Sequence, residues 1–224
     1  MQHRCARFAL FPLNEKLGFF TQFTRVKINE EEIMPLIVLI GDSIRMGYQR
    51  FVQEELRDAA EVWGPTENGG TSSNILANLQ DWVIFRNPDV VHLNCGLHDI
   101  KRNFGEMKNN VPLQEYRGNV EKILRTIKEK AQAKIIWAMT TPVNEQWHHE
   151  TKGFDRFEAD VEAYNREANQ IAQKLGVRLN NLYEVVMKAG RDRLLTKDGV
   201  HFTEEGSALI GRAVAEAVRL CLRN

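Results

Sequence analysis

The chain has 224 residues, the size of one α/β domain of roughly 200–250 residues, and is long enough to bury a core without disulfide or metal staples. Thirty Lys and Arg residues balance thirty Asp and Glu residues, so no global field draws the protein to nucleic acid or to an anionic membrane surface. Cys5, Cys95 and Cys221 are too few and too scattered for a disulfide framework or a zinc site, and no apolar run approaches the roughly 18 residues of a membrane span.

The first 33 residues stand apart. Phe8-Ala9-Leu10-Phe11 and Leu17-Gly18-Phe19-Phe20 are too short for the apolar stretch of a signal peptide, and no small-residue cleavage site follows either. Residues 1–33 are therefore read as an amino-terminal extension, poorly ordered or outside a native product that starts at Met34, or else as a loosely packed arm. Without a signal sequence or paired cysteines, the expected location is cytoplasmic.

The domain proper is expected over residues 34–224. Pro35-Leu36-Ile37-Val38-Leu39-Ile40, stopped by Gly41, is a continuous apolar run of the kind buried on both faces of a parallel sheet. A helical pattern begins around Arg45. Weaker strand signals lie at Ala60-Glu61-Val62-Trp63 and Val177-Arg178-Leu179, and stronger ones at Asp89-Val90-Val91-His92-Leu93-Asn94-Cys95 and Lys134-Ile135-Ile136-Trp137-Ala138-Met139. Between them, Leu113, Tyr116, Val120, Ile123, Leu124 and Ile127 recur at helical spacing, as do Phe157, Val161, Tyr164, Ala168, Ile171 and Leu175, with Gly176 as the stop. Thr203 is the expected N-cap of a last helix carrying Ile210, Val214, Ala217, Val218 and Cys221 on one side.

This alternation predicts a three-layer α/β/α fold with a flavodoxin-like parallel sheet of about five strands. Its ligand site belongs at the carboxyl ends of the strands. Stretches 96–112, 140–155 and 190–202 read as irregular.

The first strand runs into Gly41-Asp42-Ser43 at a strand-to-helix turn, where a serine is exposed and its N–H joins the positive end of the helix. Taken alone, the tripeptide is more often an ordinary turn. Near the other end, Asp198-Gly199-Val200-His201 precedes the last helix. A serine hydroxyl needs a base, and an acidic residue must hold that base's imidazole in the right tautomer. A tight turn brings Asp198 to one ring nitrogen and leaves the other for Ser43. Taken alone, this too is a turn followed by a helix cap.

Together, the two ends resemble the GDSL/SGNH hydrolase family over about residues 35–221. The resemblance implies the SGNH hydrolase fold, a serine esterase or acylhydrolase activity, and Ser43, Asp198 and His201 as the catalytic triad. It also implies an oxyanion hole built from the serine and from a glycine and an asparagine in two inner motifs. Asn68-Gly69-Gly70-Thr71-Ser72-Ser73-Asn74 looks like the first of these, with Gly70 matching the glycine. The second departs from the family pattern Gly-x-Asn-Asp. The chain has Gly96-Leu97-His98-Asp99, so His98 stands in place of the asparagine. A neutral imidazole still offers one N–H, and a protonated one would add charge. Asp99 either orients His98 or caps the next turn.

Four residues are candidates for contact with substrate: Asp42, Arg45, Asp99 and Trp147. Arg45 pairs with Asp42, meets an anionic substrate group or forms a surface ion pair. Trp147 suits stacking on a sugar or acyl chain. It lies in Thr140-Thr141-Pro142-Val143-Asn144-Glu145-Gln146-Trp147-His148-His149, read as a loop in which the adjacent His148 and His149 diverge.

The expected activity is metal-independent hydrolysis of a short acyl ester on a sugar or small polar alcohol. It needs no cofactor and proceeds through an acyl-enzyme. Acyl transfer or thioester hydrolysis by the same residues, a catalytically weak binding module, and a flavodoxin-like nucleotide binder are the other classes. The last is disfavoured because the first turn lacks a Gly-x-Gly-x-x-Gly pattern and a P-loop lysine. Oligomeric state is left open.

Overall fold

The computed structural model describes residues 34–223, so the readings made for residues 1–33 lie outside the described residues. Leu36–Ile40 forms strand β1, in which Ile37, Val38, Leu39 and Ile40 are all inaccessible to solvent. The chain then turns at once into helix α1, Ser43–Leu56, two residues earlier than the helical pattern suggested. The early start comes from Asp42, whose Oδ1 accepts the Ile44 N–H at 2.9 Å and caps the helix. Ser43 is thereby the first helical residue.

The remaining elements include the other strands and helices read from the sequence, among further ones. They are β2 (Glu61–Trp63), α2 (Ser72–Trp82), β3 (Val90–Leu93), the short β4 (Arg102–Asn103), α3 (Leu113–Lys130), β5 (Lys134–Ala138), α4 (Glu145–Thr151), the short β6 (Phe154–Asp155), α5 (Glu158–Lys174), β7 (Arg178–Asn180), α6 (Leu182–Ala189), α7 (Arg191–Leu194) and α8 (Glu204–Arg223). Helix α5 ends where Gly176 adopts φ +65°, and Thr203 Oγ1 accepts the Gly206 N–H at 3.2 Å at the start of α8. Cys95 is buried just past β3 rather than within a strand, and Cys221 is buried on α8.

Five strands form one parallel sheet in the order β2-β1-β3-β5-β7. The order reverses between β1 and β3, and in such sheets the crevice outside the carboxyl ends at that switch point takes the ligand. Helices α1 and α8 pack together, as do α2 with α3 and α3 with α5, which gives the three-layer architecture. Buried positions on α3 are Tyr116, Val120, Ile123, Leu124 and Ile127, nearly the whole apolar stripe read from the sequence. Burial of such stripes supplies most of the folding free energy, at about 25 cal/mol per Å² of apolar surface.

Three features of the irregular stretches differ from expectation, the first being that stretch 190–202 contains α7. β4 and β6 pair antiparallel, Arg102 opposite Asp155 and Asn103 opposite Phe154, which ties stretch 96–112 to stretch 140–155. The supposed extended loop around Trp147 is helix α4, capped by Asn144 Oδ1 on the Trp147 N–H at 3.1 Å. Among the described residues no helix is long and apolar enough to cross a membrane.

Candidate active site

The carboxyl ends of β1 and β3 and the turn before α8 meet at one place. Ser43 Oγ lies 2.8 Å from His201 Nε2, and His201 Nδ1 lies 2.5 Å from Asp198 Oδ2. The Asp198 carboxylate leaves Nδ1 as the donor, so Nε2 carries the lone pair that accepts the Ser43 hydroxyl. The separation of Ser43 from His201 by 158 positions is closed by α8 packing against α1.

Asp198 is held on several sides. Its Oδ1 accepts the His201 N–H at 2.9 Å, the Val200 N–H at 3.1 Å and the Thr196 hydroxyl at 2.8 Å. Partial burial works against its charged form, but these hydrogen bonds and that from the His201 ring outweigh it and hold the carboxyl well below the usual range. Lys152 Nζ sits 3.3 Å from Oδ2. Gly199 makes the turn possible with φ +72°, and a Cβ there would strike the Asn144 carbonyl and Trp147. Asn144 N–H donates to Gly199 O at 2.8 Å, so the turn rests on the start of α4.

The amide of Gly70 donates to Asn68 Oδ1 at 2.9 Å, so this N–H is already engaged by a side chain exposed to solvent. Gly69 approaches the first turn closely: its N–H donates to Gly41 O at 3.0 Å, and a Cβ there would come within 2.6 Å of the same oxygen. The glycine pair thus docks the second motif directly onto the turn that carries Ser43.

His98 is half-buried, and its pKa is lowered. Desolvation is the largest cause, opposed by the Asp42 carboxylate and reinforced by Arg156, Lys101 and His201. The lowered pKa favours the neutral imidazole, which has one N–H to donate.

Three of the four expected substrate contacts, Asp42, Arg45 and Asp99, lie in the interior. Arg45 is buried, and it donates to Gln49 Oε1 at 2.7 Å and to the Glu67 carbonyl at 2.9 Å. It is neither a surface ion pair nor open to substrate, but it holds the approach to the Asn68-Gly69-Gly70 loop. Asp99 does not orient His98. It is fully buried and accepts the Ser72 N–H at 2.9 Å and the Ser72 hydroxyl at 2.5 Å, binding the amino end of α2. Asp42 is also buried, as the cap of α1, and its Oδ2 has no hydrogen-bond partner among the described residues. Trp147 is half-buried against the Asp198-Gly199 turn.

Burial pushes Asp99 up from 3.8 to about 7, against the hydrogen bonds from Ser72. Between those two values the unfolded chain releases this proton while the folded chain keeps it, so stability falls as pH rises through the window. Asp99→Asn, which cannot ionise, is expected to flatten that fall in thermal melts run at about pH 5 and about pH 8. An unchanged slope would show that Asp99 titrates alike in both states.

Sequence reading gave His148 no role beyond diverging from His149, and it passed over Arg156. His148 is fully buried, with Nδ1 3.0 Å from the Asp198 carbonyl and Nε2 3.4 Å from Arg156 Nη1. Arg156 Nε donates to Leu97 O at 2.6 Å, beside His98. His149 points outward, to Asp155 Oδ1 at 2.7 Å and to the Phe104 ring. Among the described residues no group of three or more His, Cys, Asp or Glu side chains is placed to hold a metal ion.

The model of the GDSL-like lipase/acylhydrolase family matches residues 39–209, well over half of the chain. No curated protein matches. Among solved structures, the lipase/acylhydrolase from Enterococcus faecalis superposes with a TM-score of 0.71 at 22% identity, covering 83% of this chain and 96% of that one. An acetylxylan esterase from Geobacillus stearothermophilus gives 0.64 at 20% identity over 82% and 94%. A GDSL-like lipase from Bacteroides thetaiotaomicron gives 0.65 at 24% identity over 84% and 89%. At these identities the likeness is one of fold.

Proposed function

The chain belongs to the GDSL-like lipase/acylhydrolase family, and on that premise we propose that it cleaves carboxylic esters through an acyl-enzyme on Ser43, without a metal or cofactor. The observation that carries this reading is the continuous contact from Ser43 Oγ through His201 to Asp198. His201 Nε2 takes the hydroxyl proton as Oγ attacks the ester carbonyl, and the imidazolium that forms is stabilised by Asp198. The same proton goes to the leaving alkoxide. Water then repeats the sequence and frees the acid.

The tetrahedral oxyanion is met at the amino end of α1. The Ser43 N–H is one of the first-turn donors that no intrahelical carbonyl reaches, and the helix dipole adds to it. His98 supplies a neutral N–H. The Gly70 amide joins them by exchanging Asn68 Oδ1 for the oxyanion. Removing one such donor costs about 10²–10³ in turnover. His98→Ala is expected to lose about that much kcat on p-nitrophenyl acetate with KM little changed, and His98→Asn to recover part of it. Full activity in His98→Ala would remove His98 from the oxyanion hole.

For the substrate, the proposal is a short acyl group on a sugar or small polar alcohol. The His201 side chain is 42% exposed, so the reacting centre opens toward solvent, where a polar alcohol stays hydrated. A fold neighbour is an acetylxylan esterase, which agrees with this choice. Acetylated xylose and p-nitrophenyl esters from acetyl to octanoyl test it: the acetyl compounds should turn over fastest. A preference for octanoyl would reject the short-acyl reading.

A further inference from the structure

We propose that Arg156 and His148 form a buried brace that sets the distance between the His98 loop and the Asp198-His201 turn, making both of them positioning residues for the reaction. The inference rests on the proposed Ser43 mechanism and extends it to residues that do not touch the reacting atoms.

Arg156 carries a guanidinium into the interior without an ion-pair partner at salt-bridge distance among the described residues. An interior charge is costly unless its donors are satisfied. Here the donors go to two targets on different segments, the loop after β3 and helix α4. Nε donates to the carbonyl of Leu97, directly before His98. Nη1 points at His148 Nε2. A ring nitrogen facing a guanidinium must be the acceptor, so the other nitrogen, Nδ1, carries the hydrogen and donates to the carbonyl of Asp198. Burial, the largest cause, and the Arg156 charge lower the His148 pKa, in keeping with that neutral tautomer. The Phe154 ring lies edge-on to His148 at 5.1 Å and under Arg156 at 4.9 Å, closing the group on the side of β6.

The brace therefore runs Leu97 O, Arg156, His148, Asp198 O. Its two ends are backbone atoms next to an oxyanion donor and in the carboxylate member of the triad. Hydrogen bonds to backbone fix where a loop sits, whatever side chain it bears. The reacting carbon must meet Oγ and the oxyanion donors at once, and a misplacement of about 1 Å costs about 100-fold in rate.

The test compares four variants (His148→Leu, His148→Asn, Arg156→Met and the Arg156→Met/His148→Leu double) with wild type on p-nitrophenyl acetate, with thermal melts to count only folded enzyme. His148→Leu removes both contacts and is expected to lower kcat by about 10- to 100-fold while KM changes little. His148→Asn keeps a donor at the Nδ1 position and should recover most of that loss. The Arg156→Met/His148→Leu double variant should be no slower than the worse single variant, because both break one connection. The downfield proton resonance of the His201–Asp198 hydrogen bond should shift in His148→Leu and return in His148→Asn. The brace is overturned if His148→Leu retains wild-type kcat per folded enzyme, or if His148→Asn is as slow as His148→Leu. Loss of activity in Ser43→Ala alongside either outcome leaves the Ser43 mechanism standing, so the two failures are separable.

Discussion

Ser43→Ala is expected to cut ester turnover by about 10⁴- to 10⁶-fold while leaving the fold intact. The side chain it removes is one oxygen on the first residue of α1, with a single hydrogen bond, to His201 Nε2. Alanine is also a strong helix former, so nothing in α1 opposes the change. The cap on that helix comes from Asp42 and survives the substitution. A melting temperature within a few degrees of wild type, with activity near background, is the expected pair of results. The residual rate should come from the oxyanion donors and binding alone. Wild-type activity in Ser43→Ala would mean that another group attacks the ester.

The second large effect is Asp198→Asn, expected to lower kcat about 10⁴-fold. Asparagine fits the same space, yet its amide group competes with the His201 Nδ1–H for the role of donor. The imidazole then takes the tautomer with its hydrogen on Nε2, where it cannot accept the proton of Ser43. The remaining hydrogen bonds from Thr196, Val200 and the His201 backbone need only one acceptor oxygen, which asparagine keeps. The turn should therefore hold its shape while the chemistry fails. Because the folded carboxyl is held below its ordinary range, Asp198 adds stability above about pH 4 that is lost as pH falls through its lowered pKa. Asp198→Asn should lose that portion of the acid dependence of unfolding. A kcat within tenfold of wild type would show that the carboxylate does not set the tautomer.

Much of this could be read from the sequence because the decisive signals are local. Apolar runs marked β1, β3 and β5, weaker signals marked β2 and β7, and helical spacing marked α3, α5 and α8. The two outer motifs each hold their residues within a single turn. What escaped the reading depends on contacts across the fold. Asp99 finds its partner in Ser72, 27 positions away, and no spacing rule links them. Arg45 reads as a partner of Asp42, a contact for an anionic substrate group or a surface ion pair, and Arg156 draws no reading, since arginine is seldom fully buried. Each is buried with its guanidinium spent on backbone carbonyls or on neutral side chains. Helix α4 escaped because Glu145-Gln146-Trp147-His148-His149-Glu150-Thr151 is two turns long with no apolar stripe, and its cap is a side chain within a supposed loop. The β4–β6 pair spans two residues a side, too short for any alternation to register. His148 lies on α4 and Arg156 directly after β6, so the brace between the inner motif and the triad turn was invisible until the chain was folded.

The central claim is that an acyl group resides on Ser43 during turnover. Wild-type enzyme mixed with p-nitrophenyl acetate and quenched in acid within one turnover should show a mass gain of one acetyl group by intact-mass spectrometry. Peptide mapping should assign that gain to Ser43, and Ser43→Ala should show none. Turnover without any acetylated enzyme, or an acetyl group mapped to a residue other than Ser43, would contradict the account.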